Sequence, residues 1–276
     1  MYENVKPLQE KQLMILKEFK RVCEKNKLTY YLTYGTMIGA VRHHGFIPWD
    51  DDIDVMMPYT DYVKFVEVCK TDLSDDFFLQ STEECPEACI TFNKLRMNGT
   101  TFIRKDMPTK DIHYGINIDI YPIYNVADDR LGWKKQYACT LLYMLLQVGE
   151  VPKNHGKLMR FGGKLVLKIL QGNIRERIKN YCHAQMAKYE NQKTAYKSLL
   201  FGNAETCRQW YDAKLFETKI EVQFEDDKFY IPSGYDSMLK TVYGDYMTLP
   251  PEEERGVKLD HIFIDTENSY LKYKGI

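Results

Sequence analysis

Apolar positions recur at helical spacing near the start of the chain. Leu13, Leu16, Phe19 and Cys23 fall on one face, which predicts an amphipathic helix over residues 8–26. Thr29 to Thr33 is rich in β-formers and predicts a short strand. Gly35-Thr36 ends it, and Met37 to His43 predicts a helix packed on that strand. Gly45 and Pro48 break the pattern. Asp52 to Met57 then alternates polar and apolar, as a half-buried strand does, until Pro58 stops it. Thr60 is placed to cap a helix carrying Tyr62, Phe65, Val66 and Cys69. Further strand patterns run from Phe77 to Gln80, Cys89 to Met97, Thr100 to Ile103 and Ile116 to Ile120.

From Asp128 to about Phe201 the pattern is mainly helical. A strand-like Ile220 to Phe224 and a helix-like Tyr235 to Tyr243 follow. The expectation is a mixed α/β core over residues 1–125. Residues 126–276, helical with a closing segment, pack on it as one unit. There is no internal repeat.

Composition changes this picture little. The 276 residues are 44% hydrophobic and 28% charged, the balance of a folded domain and not of a disordered chain. The net charge of -1 gives no reason to expect nucleic acid as a partner. Seven cysteines, mostly in apolar periodic segments, suit reduced and buried thiols. Cys85 and Cys89 lack a second close pair to complete a zinc site. Residues 1–12 are polar and unlike a signal peptide. The apolar run near Leu141 to Leu146 is too short to span a bilayer. A cytoplasmic protein is expected, one that can sit on the inner face of the membrane.

The sharpest chemistry lies in Trp49-Asp50-Asp51-Asp52-Ile53-Asp54. In a strand, Asp52 and Asp54 share one face while Ile53 and Val55 face the core. Two carboxylates side by side repel unless a cation joins them. Mg²⁺ or Mn²⁺, hard ions that also bridge substrate phosphates, fit that need. Asp50 and Asp51 add negative charge in supporting or acceptor-side roles. In the strand at Ile116 to Ile120, Asn117 and Asp119 face away from the core. Asp119 is thus a third carboxylate, as metal ligand or general base.

Gly35 lets backbone approach a phosphate, and Thr36 adds a hydroxyl near a helix start. Arg42 and the pair Lys94 and Arg96, two apart on one strand face, are candidate phosphate clamps. Trp49 and Tyr121 flank the acidic strands. The chain's 21 tyrosines could line a sugar or base pocket or fill half-buried core positions.

The run Tyr34-Gly35-Thr36-Met37-Ile38-Gly39-Ala40-Val41-Arg42-His43-His44-Gly45-Phe46-Ile47-Pro48-Trp49-Asp50-Asp51-Asp52-Ile53-Asp54 resembles the signature of the LicD family. That family includes bacterial phosphorylcholine transferases and is related to the fukutin group. Gly115-Ile116-Asn117-Ile118-Asp119-Ile120-Tyr121-Pro122 resembles its second motif, and Lys94-Leu95-Arg96 followed by Thr100 the motif between. Tyr243-Gly244-Asp245-Tyr246, Leu249-Pro250-Pro251 and His261 are similar to its closing block. The resemblance implies a nucleotidyltransferase-like fold of the polymerase-β superfamily. It implies Asp52 and Asp54 as the metal pair and Asp119 as the third carboxylate. It also implies transfer of a phosphoalcohol from a CDP-activated donor, typically CDP-choline, to a hydroxyl of a cell-surface glycan precursor of teichoic acid or lipopolysaccharide type, releasing CMP. Two other readings use the same residues: a true nucleotidyltransferase, and a non-catalytic nucleotide- or glycan-binding protein.

Residues 153–179 hold Lys153, Lys157, Arg160, Lys164, Lys168, Arg175, Arg177 and Lys179 against one acid, Glu176. Leu158, Phe161, Leu165 and Ile169 follow the same spacing. This pattern predicts a basic amphipathic helix suited to an anionic membrane surface and a lipid-linked acceptor.

Overall fold

The computed structural model describes residues 5–104, 111–151, 157–256 and 262–273. The first half runs α1 (Lys6–Lys25), β1 (Tyr31–Leu32), α2 (Tyr34–Ile38), β2 (Asp54–Pro58), α3 (Tyr59–Asp72), β3 (Phe77–Gln80), β4 (Asn93–Met97), β5 (Thr101–Arg104) and β6 (Asn117–Asn125). Then come α4 (Arg130–Val148), α5 (Lys157–Ile169), α6 (Gly172–Met186), β7 (Tyr196–Ser198), β8 (Tyr211–Asp212), β9 (Lys219–Phe224), β10 (Asp227–Pro232), α7 (Tyr235–Tyr243) and β11 (Ile262–Asp265).

The main sheet has the order β1-β2-β6-β4-β3, and β7 and β8 extend it from the far end of β6. It is mixed: β2 and β6 run parallel, while β1, β4 and β3 are antiparallel to their neighbours. The parallel pair matters most, because it puts the starts of β2 and β6 at one sheet edge. Alternation then works as expected from the sequence. Ile53, Val55, Ile118 and Ile120 are fully buried against Leu16, Phe19 and Phe65 in one large core. Burying each such aliphatic side chain stabilises the fold by about 1.5–3 kcal/mol.

The same core takes in Phe224, Phe229, Ile231, Met238 and Leu239 from the last third of the chain. A second, smaller core joins Cys139, Tyr143, Cys182 and Met186 of α4 and α6 to Tyr124 and Cys207. All seven cysteines are free thiols, and six are buried.

Several boundaries differ from the sequence pattern. The acidic strand begins at Asp54, so Asp52 precedes it, although the Asp119 amide still donates to Ile53 O at 2.9 Å. The helix before it starts at Tyr34 and continues as a π-helical turn over Gly39–His43. Thr60 caps nothing: α3 begins at Tyr59, directly after Pro58. The strand expected from Cys89 starts only at Asn93, because Cys89 is left-handed (φ 53°) after a turn of 3-10 helix. β6 runs through Pro122, which pairs with Met57; β4 already ends opposite Ile120, so no ladder bond to it is lost there. Strands β10 and β11 carry too little alternation to be foreseen. Among the described residues no helix is long and apolar enough to cross a membrane.

Candidate active site

Register builds the centre. Asp54 of β2 lies directly opposite Asp119 of β6, and Asp119 lies opposite Lys94 of β4. Lys94 Nζ donates to Asp119 Oδ1 at 2.5 Å and also stands 5.0 Å above the ring of Phe92. The Tyr121 hydroxyl donates to Asp54 Oδ1 at 2.9 Å and lies 3.4 Å from Asp119 Oδ2. Its ring stacks on Phe201 with centroids 4.3 Å apart and meets Phe92 and Tyr34 edge-on. An aromatic wall therefore stands beside the carboxylates.

Asp54 is itself anchored by α2. Its amide donates to Thr36 Oγ1 at 2.9 Å, and its carbonyl accepts from the Thr33 amide at 3.0 Å. Thr36 is buried, so its hydroxyl positions the acidic strand. Gly35 has a different purpose. A Cβ there would come within 2.7 Å of Asp50 Oδ2, so only glycine lets that carboxylate settle against the helix start.

The acidic run preceding β2 is clamped by α1. Gln9 Nε2 donates to Asp50 O at 2.9 Å and Ile47 O at 3.2 Å, and Gln12 Nε2 donates to Asp51 O at 2.7 Å. Carboxylate oxygens of Asp50, Asp51 and Asp52 lie within 4.8 Å of one another. Sequence reasoning missed the two glutamines; the available signal was a pair of polar positions that the α1 periodicity turns inward.

Electrostatics follow from this crowding. Burial, then repulsion from Asp52 and Asp51, pushes Asp50 up to about 8. Burial, then Asp51 and Asp119, raises Asp52 to about 6, although the residue is exposed to solvent. Asp54 is raised well above the carboxylate range by burial, then by Asp52 and Asp119. Lys94 is the cation hydrogen-bonded to Asp119. Among the described residues, Asp50, Asp51 and Asp52 are the carboxylates close enough together to share a hard divalent cation, and Asp54 and Asp119 lie side by side in the strands that follow.

The remaining candidates divide. Arg96 is fully buried, with Nε donating to Gln80 Oε1 at 2.8 Å and Nη1 to Gly115 O at 2.7 Å and Asn117 Oδ1 at 3.1 Å. Desolvation lowers it to about 10. It ties β3, β4 and β6 together and does not reach the cleft as a phosphate clamp. Arg42, at the end of the π-turn, is half-buried and donates to His43, whose ring meets Trp49 edge-on. The guanidinium of Arg255 lies 5.8 Å from the centre of the Trp49 ring, a neighbour that no sequence motif marked out. His261 and Lys153 lie outside the described residues, as do the side chains of Lys157 and Leu158.

Carboxylates gathered at one end of two neighbouring strands of a mixed sheet, with Lys94 against them, are the equipment of a phosphotransferase, and the comparisons with known proteins place the chain in that class. A family model described as LicD/FKTN/FKRP, nucleotidyltransferase domain, matches residues 27–138. The lipopolysaccharide cholinephosphotransferase LicD of Haemophilus influenzae is 30% identical over 260 residues, covering 90% of this chain and 94% of that protein. An uncharacterized protein of Rickettsia typhi is 40% identical over 54 residues, which is 20% of this chain and 18% of that protein. Another from Rickettsia prowazekii is 26% identical over 115 residues, 40% and 43% of the two chains. The chain belongs to the LicD family.

Proposed function

We propose that this enzyme transfers a phosphoalcohol, phosphocholine from CDP-choline in the first instance, to a hydroxyl of a cell-surface glycan precursor and releases CMP. The carrying observation is the register that sets Asp54, Asp119 and Lys94 side by side, with Asp52 preceding β2. The near full-length likeness to a lipopolysaccharide cholinephosphotransferase supports the choice of alcohol and of a lipopolysaccharide-type acceptor. Teichoic acid is the other glycan class that fits the same chemistry. The core is read as nucleotidyltransferase-like.

Asp52, Asp54 and Asp119 would hold Mg²⁺ or Mn²⁺. Such an ion, when bound, offsets charge on the donor diphosphate. The chain's own groups do the rest. Tyr121 holds Asp54 in orientation through its hydroxyl. Lys94 hydrogen-bonds Asp119 and holds that carboxylate in place beside Asp54. Asp119 would serve either as a ligand of that ion or as the general base that accepts the acceptor's proton. The faces of Phe92, Tyr121 and Phe201 offer a quaternary ammonium the π-surface it prefers. Product analysis tests the reading: CDP-choline, Mg²⁺ and a glycan acceptor should yield CMP. Pyrophosphate from a nucleoside triphosphate, with the nucleotide retained on the product, would point instead to a true nucleotidyltransferase.

We also place the enzyme at a membrane surface. Helix α5 packs inward where a Cβ on Gly163 would meet Val151 at 2.9 Å. Its outer side carries Phe161, Leu165 and Ile169, which are 68%, 47% and 64% exposed. Arg160, Lys164 and Lys168 line the adjacent stripe. That combination of exposed apolar and basic stripes suits anionic lipid.

A further inference from the structure

Two arginines lie near Trp49 with no carboxylate partner among the described residues. Arg42 Nη1 donates to Tyr246 O at 2.5 Å and its Nε to His43 Nε2 at 2.9 Å. Arg255 Nε donates to Pro250 O at 2.6 Å, with its guanidinium toward Trp49. These acceptors are neutral. Among the described residues no carboxylate lies within ion-pair distance of either arginine. Arg42 spends two of its five donors this way among the described residues, and Arg255 spends one.

Both side chains are half-buried. Burial, and then the positive charge of Arg255, pulls Arg42 below the usual arginine range. Backbone carbonyls thus hold two like charges near each other without neutralising them. The logic is that of the carboxylates with the sign reversed: an anion between the two would relieve the repulsion. Trp49 links the two places, since it faces Arg255 and His43 and is followed by Asp50, whose carboxylate rests against Gly35.

We propose that Arg42 and Arg255, against Trp49, form an anion subsite for the diphosphate of a nucleotide-linked donor. The inference rests on the donor reading above and names residues for it. Two planar guanidinium forks match the paired non-bridging oxygens of a diphosphate, which a single ammonium does not. A positive subsite next to a carboxylate cluster is also what a metal–diphosphate unit requires, one part for each sign. An acceptor hydroxyl carries no charge that would call for it.

Calorimetry on the full chain tests this, using inorganic pyrophosphate, CMP and CDP-choline with Mg²⁺ at low and high salt. Arg255→Gln should weaken pyrophosphate and CDP-choline binding roughly ten- to hundredfold, CMP binding less, and flatten the salt dependence. Arg255→Lys should recover only part, because it restores charge without the fork, and it guards against a folding defect in the glutamine variant. In turnover, the KM for donor should rise while that for acceptor holds. Pyrophosphate binding unchanged within about twofold would overturn the subsite whatever the donor is. A rise confined to the acceptor KM would overturn its assignment to the donor. If pyrophosphate binding requires Arg255 but the wild-type protein does not bind CDP-choline, the anion subsite stands and the CDP-choline reading falls.

Discussion

Asp50 and Asp52 hold protons in the folded chain that they would release when unfolded, and the sign of the resulting pH effect is fixed. Their ordinary value is 3.8, and folding raises them to about 8 and about 6. The native state therefore binds more protons, so stability is greatest below about pH 4 on this account and is lost as pH rises through 6 and 8. For these groups, the metal-free protein should show a falling melting temperature across that range. Mg²⁺ should restore it, with a larger rise at pH 8 than at pH 5, because ionised carboxylates bind the cation best. An equal Mg²⁺ effect at both pH values would speak against these carboxylates as ligands. The pairing of Asp54 with Asp119 was legible in the sequence because alternation puts charge on one face and isoleucine on the other, whereas Asp52 precedes the strand that was expected to carry it. The burial of Asp50 against Gly35 was not, since it depends on a helix and a loop meeting edge to edge.

Between elements, hydrogen bonds determine where the acids stand. Thr36→Val removes the acceptor for the Asp54 amide and leaves that buried donor unpaired, so it should cost about 1–3 kcal/mol. Urea unfolding would read the loss, together with reduced turnover from a displaced Asp54. Arg96→Met should act differently. It strips Gln80, Gly115 and Asn117 of their shared donor and should lower stability by about 2–4 kcal/mol. Activity per folded molecule should stay within about twofold. Wild-type stability with lost activity would return Arg96 to the cleft. Spacing alone made Lys94 and Arg96 equivalent on β4. The difference arises from their neighbours: Asp119 at the open edge for one, a buried carbonyl and two amide side chains for the other. The types of α1, α3, β3 and α7, and the bounds of β3 and α7, followed from periodicity. Pro58 and Pro122 lie where β2 and β6 pair, and the strand expected from Cys89 starts late because a left-handed residue follows a 3-10 turn.

At the scale of the molecule, the chain's ends return to its beginning. Lys17 and Lys20 of α1 pair with Asp226 and Asp227 at the β9–β10 turn, each at 2.7 Å. The Tyr246 carbonyl receives Arg42, and Arg255 arrives at Trp49. Such long-range closure has no periodic signature, which is why Arg255 escaped the sequence while the motif residues around it did not. The outer face of α5 was legible, because both its stripes repeat every three or four residues. Vesicles containing anionic lipid should therefore co-sediment the protein, and neutral vesicles should do so far less. Phe161→Glu with Ile169→Glu should release it without loss of turnover on a soluble acceptor. Retention of the double variant on anionic vesicles would remove α5 as the contact.

In the proposed reaction, the carboxylates at the start of β2 and β6 carry metal-dependent transfer from a CDP-linked donor. CMP release from CDP-choline in the presence of a glycan acceptor, followed with and without Mg²⁺ in wild type and in Asp54→Asn, tests it most directly. The account predicts CMP only from wild type with metal, and a loss of at least about a hundredfold in Asp54→Asn while its fold persists by circular dichroism. Undiminished CMP release from Asp54→Asn, or from wild type in excess chelator, would contradict it.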